Sequence, residues 1–537
     1  MISSYAAVAV VLVAVAAAAR PALAAEDCGP VVGNPRVTCN RWPSSYDAQS
    51  WARDVWRIEK ADTDEAKAIA LYKWVRLQLH WGDPVGDGTR GRKPVVECDA
   101  IKKININPYG HCSDFGVTAA ALGTAGGLKA MEAHVPGHTE LEVFYTDADG
   151  VERWHRLDPF WGFVVYDRTA AHIATWQEIK ADPGLTTKPA KFVAPLGDKA
   201  SDRVRYAEKG ACPPSNRVRP SIYTMDKPLY AGETYTLGWD RDEQVPYYNA
   251  LPDSKDRQTL WGFIRFTYAG GDPEKLAYGH ELLRPYVHKG TFRGENQLMV
   301  FPAHGTLEFR PVLDGRFADS LYRPAANVAA GAGAGPKLRP AKAGTPAELV
   351  YLVQTPYVIA DSGLTGSFRV GRGGTVKVSV APGDWRWRNW VLDQVVPDKP
   401  DWKVVWESQG EGVQRMDLKQ AALAVRGEYK FLVKVEMTAT DPAATGVDGL
   451  GVSCKFQEAP LALPRLMPGE NTIQVTAADV RPGYRLRVEY CWDDAKGKGH
   501  TAAQLIDTTP ARFTIQAAGE KPADVKTNWL RLEAVKK

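Results

Sequence analysis

The hydrophobic period changes once along this chain, at Cys212-Pro213-Pro214, and that change limits the fold more than any other feature. Beyond it, runs such as Val376-Lys-Val-Ser-Val380, Tyr429-Lys-Phe-Leu-Val-Lys-Val435 and Arg485-Leu-Arg-Val-Glu-Tyr490 alternate apolar and polar residues between Gly/Pro turns. That is the period of half-buried strands. Before it, the pattern is helical in two places. Asp62 and Glu65 have capping-box spacing, and Ala68, Leu71, Tyr72, Val75 and Leu79 follow on one helical face. A second face, Phe115, Ala119 and Leu122, follows Cys112 and stops at Gly126-Gly127. Short alternating runs come next.

The expected fold is therefore an α+β unit followed by two or three all-β domains of sandwich or jelly-roll type. The boundaries drawn from composition are 25–212 for the α+β unit, 215–324 for a β domain, 348–445 for a β-sandwich domain and 446–537 for a C-terminal β domain. Residues 325–347, rich in Ala, Gly and Pro, are expected to be a linker or exposed loop. With 44% hydrophobic and 24% charged residues the chain has ordinary globular usage, which argues against disorder. The formal charge of +4 is too slight to argue for nucleic acid as a partner.

Residues 1–24 are expected to be a signal peptide. The apolar run Ala6–Ala19 is followed by Arg20, Pro21 and the small-residue site Ala22-Leu23-Ala24. The run has 14 residues, whereas a spanning helix needs about 20. The expectation is an exported protein, periplasmic or extracellular, with no transmembrane helix in the mature chain. In an oxidising compartment the seven cysteines should pair. Cys28 with Cys39, Cys454 with Cys491 and Cys98 with Cys212 are the expected pairs, which leaves Cys112.

Cys112 stands where the turn Asn107-Pro-Tyr-Gly110 becomes a helix. A thiol there meets the positive end of the helix dipole and free N–H groups, which favour thiolate and can steady an oxyanion. The competing reading is a buried structural Cys or a disulfide partner. Downstream, His138 opens an alternating run, Asp147-Ala-Asp-Gly150 signals a hairpin turn, and the chain returns to Asp158. Pairing 147 with 149 lays His138 across from Asp158, where facing Cβ atoms are about 5 Å apart. His155, an odd number of residues from Asp158, falls on the opposite face. The His134/His138 spacing suits a helical zinc pair, but Pro136-Gly137 breaks any helix there, so no metal is expected. Gly331-x-Gly-x-Gly335 follows no strand and opens no helix, so no nucleotide cofactor is expected. Tyr109 and Trp154 are the aromatics expected to line a cleft.

Tyr109-Gly-His-Cys112, Gly137-His138 and Trp154-His-Arg-Leu-Asp-Pro159 together resemble the transglutaminase-like superfamily. The resemblance covers roughly residues 60–200. It implies a papain-like α+β core with a Cys-His-Asp triad, whose matching positions are Cys112, His138 and Asp158. His111 and Ser113 stand where eukaryotic transglutaminases usually have Gln and Trp, and Glu140 stands where many bacterial members have an aromatic residue. The implied function is thiol-dependent acyl transfer on protein, peptide or other amide substrates, with hydrolysis favoured over transamidation and no cofactor. The alternative is an inert scaffold whose β modules bind a glycan or cell-surface partner. Trp385, Trp387, Trp390, Trp402 and Trp406, interleaved with Arg386 and Arg388, are the residues that reading would use.

Overall fold

The computed structural model describes residues 28–81, 86–87, 95–96, 99–106, 108–135, 137–191, 193, 219–240, 242, 244–245, 287–292, 295–300, 302–388 and 391–537. The 1–24 segment, Cys98, Cys212 and Trp390 lie outside the described residues. The fold is mostly β, with 43% strand against 18% helix, in keeping with β-sandwich domains. No described helix is long and apolar enough to cross a membrane.

The helices gather near the start. Asp47 accepts the Ser50 N–H at 2.8 Å and caps α1 (Ala48–Glu59), which buries Trp51, Ala52 and Val55. Helix α2 (Asp64–Gln78) is capped by Thr63, whose hydroxyl accepts the Ala66 N–H at 3.1 Å. The cap is thus one residue beyond Asp62, because Thr63 is the last residue in extended geometry. The expected face of Ala68, Leu71, Tyr72, Val75 and Leu79 is buried. The short helix α3 (Ala100–Asn105) is capped by Asp99 through Oδ1, while its Oδ2 accepts the backbone N–H groups of both Ile222 and Tyr223. Helix α4 (Cys112–Ala125) packs against α1, α2 and a three-stranded antiparallel sheet made of Lys129–Val135, His138–Thr146 and Glu152–Leu157.

The rest of the chain does not divide at the expected boundaries. One ten-stranded antiparallel sheet takes strands from both sides of positions 324, 348 and 446. Its central strand, Gly446–Glu458, pairs with Ala303–Phe309 along one edge and with Val358–Val370 along the other. A strand interior needs partners for the N–H and C=O groups of both edges, and here distant segments supply them. The stretch 325–347 is likewise no linker: Val328–Ala330 and Leu338–Pro340 form a hairpin on this sheet, with Leu338 fully buried. A four-stranded sheet (Ala347–Gln354, Lys430–Thr438, Thr375–Pro382, Lys403–Glu407) covers part of it. Tyr351 meets Phe309, and Trp406 stacks on Phe368, between the layers. A third sheet joins Arg36–Cys39, at the start of the α+β unit, to Gly469–Thr476 and Ala511–Ala517.

The expected disulfides within the described residues are not formed. Cys454 and Cys491 lie on strands separated by three others in the same sheet. That is about 19 Å at 4.8 Å per strand, whereas a bridge needs Cα atoms within about 7 Å. The Cys39 thiol faces Asn471 Oδ1 at 3.6 Å rather than Cys28, and burial pushes it up to about 11.

A chain ended at residue 445 would strip the central strand from the large sheet and bare two long edges. It is expected to be insoluble, as sedimentation and far-ultraviolet circular dichroism would report. A soluble, folded 1–445 product would restore the boundary drawn from the sequence.

Candidate active site

Helix α4 brings Cys112 to the sheet by a close backbone approach. A Cβ on Gly116 would lie 2.9 Å from the Glu140 carbonyl oxygen, so only glycine lets the helix sit this near the His138 strand. The first turn of α4 is anchored from below. Asp114 Oδ2 accepts the His111 N–H at 2.8 Å, and Asp114 Oδ1 lies 2.7 Å from the Lys103 ammonium, with both side chains buried.

The hairpin register differs from the expected one by two residues. The Asp147 backbone N–H donates to the Val151 carbonyl rather than position 147 facing 149, and Gly150 takes the left-handed conformation at φ 74° that closes this three-residue loop. Leu141 therefore pairs with Leu157, and Glu140, not His138, stands level with position 158. A shift of two keeps every side chain on its face. His138 Nε2 still reaches Asp158 Oδ2 at 2.6 Å, diagonally, with both side chains buried.

Asp158 is held on its other oxygen. Oδ1 accepts the N–H groups of Phe160 and Trp161, each at 2.9 Å, in a turn closed by Gly162 at φ 84°. Arg76 of α2 donates to the carbonyls of Pro159 and Phe160 and fixes this turn. The turn returns two aromatic rings to His138. Trp161 stacks on the imidazole at 3.9 Å and 9°, and Phe160 lies between His138 and Phe115. Trp161 and Phe160 are the site residues the sequence reading missed, although Asp158-Pro-Phe-Trp161 is contiguous with the expected Asp.

The two aromatics that had been expected there are elsewhere. Tyr109 is only 3% exposed and packs towards His80. Trp154 pairs with Phe144 across the strands, under the Lys129 ammonium. That places it six residues along the strand from His138, about 20 Å at 3.3 Å per residue. His155 is on the opposite face, as expected: it stacks on Tyr145 and bonds the Ile173 carbonyl through Nδ1 at 2.6 Å.

The Cys112 thiol lies beside the His138 side chain and the Thr139 backbone N–H, and both favour its thiolate. Burial pushes this thiol up, and the nearby Asp158 charge adds to that. The His138 hydrogen bond and charge, with the Thr139 N–H, outweigh both and bring it below the ordinary thiol value. Burial works against the His138 proton too, but the charge and hydrogen bond of Asp158, the Cys112 bond and the Glu140 charge raise the ring to about 10. Thiolate and imidazolium therefore coexist over a broad range. The sign for stability follows. The folded ring keeps its proton to about 10, against 6.5 unperturbed, so this stabilisation is complete below 6.5 and is lost as the pH rises towards 10.

Two groups of described residues bring three metal-ligand atoms within 4.8 Å of one another: His138, Glu140 and Asp158, and Asp147, Asp149 and His172. A guanidinium already engages each group, Arg156 on Glu140 and Arg153 on Asp147.

No family model and no curated protein matches this chain. Among solved structures, an allantoicase aligns over 36% of this chain and 77% of its own at 8% identity, with a TM-score of 0.17. An FMN-binding beta-glucuronidase from Facaelibacterium prausnitzii aligns over 39% of this chain and 32% of its own at 13% identity, with a TM-score of 0.12. At such scores these likenesses carry no argument about fold or activity.

Iodoacetamide is expected to label Cys112 well below pH 8.5, the rough midpoint of a free thiol, as peptide mass mapping would show. His138→Ala should return the labelling midpoint to the ordinary thiol range. Labelling of the unaltered chain only above that range would remove the ion pair.

Proposed function

We propose that this chain is an exported thiol-dependent acyl-transfer enzyme with a papain- or transglutaminase-like core, acting on amide or peptide bonds. The carrying observation is the 2.6 Å His138–Asp158 hydrogen bond, buried beneath Trp161 with the Cys112 thiol set beside the ring. The motifs in the order Cys, His, Asp, and a helix that begins at the Cys beside antiparallel strands that present the His and lead into the Asp, support the same core.

In this reading the Cys112 thiolate attacks the substrate carbonyl carbon and forms a tetrahedral oxyanion. In this reading the backbone N–H groups at the start of α4 supply the donors for that charge. His138, already protonated, gives its proton to the leaving nitrogen as the C–N bond breaks, leaving a thioester on Cys112 and a neutral imidazole. The imidazole then takes a proton from the attacking water. The carboxylate product departs, and the thiolate–imidazolium pair is restored. Asp158 holds the ring through Nε2, which leaves Nδ1 for the thiol. Hydrolysis is the default branch because water is abundant.

The binding-scaffold reading loses much of its footing. Trp406 stacks on Phe368, Trp402 lies under the Lys434 ammonium, and Trp385 packs edge-on to Tyr429, so these rings have partners inside the protein.

Screening against fluorogenic peptide amides, with and without a primary-amine acceptor, tests the proposal. Cys112→Ala should abolish turnover, and His138→Ala should lower it by about 10³-fold or more. His155→Ala should spare the chemistry. Full activity in Cys112→Ala would end the proposal.

A further inference from the structure

We infer that Glu140 is a second carboxylate partner of the His138 imidazole, a positioning residue that shares with Asp158 the work of holding the ring charged and aimed at Cys112. The inference deepens the acyl-transfer reading and rests on it.

Its ground is the geometry of one sheet face. Glu140 follows His138 by two residues, so both side chains leave the strand on the same side. In the observed register Glu140 stands level with Asp158, and a ring nitrogen of His138 and one oxygen from each carboxylate all lie within 4.8 Å of one another. Glu140 and Asp158 are both fully buried. Two buried carboxylates this close repel unless cations separate them. Two cations do so: His138 bonds Asp158, and Arg156 donates from Nε and Nη2 to the two oxygens of Glu140. The result is a row of alternating charge, Asp158, His138, Glu140, Arg156.

The choice Arg156 makes is informative. Its direct cross-strand neighbour is Glu142, yet its guanidinium forks onto Glu140 instead. Glu142 Oε2 has no hydrogen-bond partner among the described residues. Burial, with the Glu140 charge against the opposing Arg156, pushes the Glu142 carboxyl up to about 7. Arg156 thus places its guanidinium on the carboxylate beside the ring rather than on its cross-strand neighbour. The groups that face His138 are Asp158, Glu140, the Cys112 thiol and the Trp161 and Phe160 rings, with Arg156 and Glu142 next along the face. Loss of the Glu140 charge should therefore lower the proton affinity of the ring without touching its bond to Asp158.

The test is the titration midpoint of His138, read by NMR of ¹³Cε1-labelled histidine in the full chain and assigned by its loss in His138→Ala. A Cys112→Ala background removes the titration of the thiol itself. Glu140→Gln should lower the midpoint by about one unit, a tenfold loss of proton affinity, and Asp158→Asn should lower it further. Should Glu140→Gln fail to fold because Arg156 loses Glu140, the double variant Glu140→Gln/Arg156→Met removes both buried charges, and its midpoint should still fall, by less than in the single variant, because the lost cation lies farther from the ring than the lost anion and offsets only part of it. A midpoint unchanged in the variants that fold overturns the inference. The readout is ring protonation, not turnover. An unaltered chain whose Cys112 resists iodoacetamide would instead end the acyl-transfer reading, while the Glu140 shift is still measured on its own.

Discussion

The site depends on one steric constraint, the approach of α4 to the His138 strand at Gly116. With the helix lodged against the Glu140 carbonyl, the first turn of α4 lies level with the start of the strand, and Cys112 meets His138 and the Thr139 N–H. A methyl group at Gly116 would force helix and strand apart, and overpacking of this kind costs about 1–3 kcal/mol. The buried Lys103–Asp114 pair holds the same turn from the other side. Removing one partner of such a pair costs about 3–5 kcal/mol, so the position of Cys112 is guarded twice.

The helical unit is not a module hung on a β stalk. The Trp42 indole N–H donates to the Leu461 carbonyl, the Ser45 hydroxyl to the Ala462 carbonyl, and the Ala459 N–H to the Asn105 carbonyl. Arg36–Cys39 is a strand of a sheet otherwise built from residues beyond 468. Asp99, the cap of α3, reaches Ile222 and Tyr223 through its second oxygen, and Lys102 on α3 lies over the rings of Tyr223 and Tyr429. The β body therefore frames the segment that leads into Cys112. The acyl-transfer reading proposed above needs such a frame, because a reacting thiol and its base must be held to fractions of an ångström.

The candidate site was legible in part. The pairing of His138 with Asp158 and the exclusion of His155 were readable because face alternation on a strand depends only on parity, and the two-residue error in register left parity intact; Cys112 was readable from its place where a turn becomes a helix. Tyr109 and Trp154 were misplaced because an aromatic beside a motif carries no sign of distance. Tyr109 is buried towards His80, and Trp154 is carried down the strand to Phe144. Trp161 was missed because its place over His138 comes from a non-repeating turn that Arg76 and Gly162 close, and turns of this kind leave no periodic trace.

The sequence by itself determined what is local: the helical faces behind Thr63 and after Cys112, the period-2 strands beyond 214, and which side of the hairpin carries His138. These follow from spacing along the chain and from turn chemistry at a few residues. Only the tertiary structure decided what depends on pairing at long range. It placed Gly446–Glu458 between strands that begin at 303 and 358, and it turned the supposed 325–347 linker into a hairpin. It also kept Cys454 and Cys491 four strand spacings apart. The physical reason is the same in each case. A strand's hydrogen-bonding edges are chemically alike along the whole chain, so the choice among many possible partners is made by packing and burial, which no stretch of sequence contains alone.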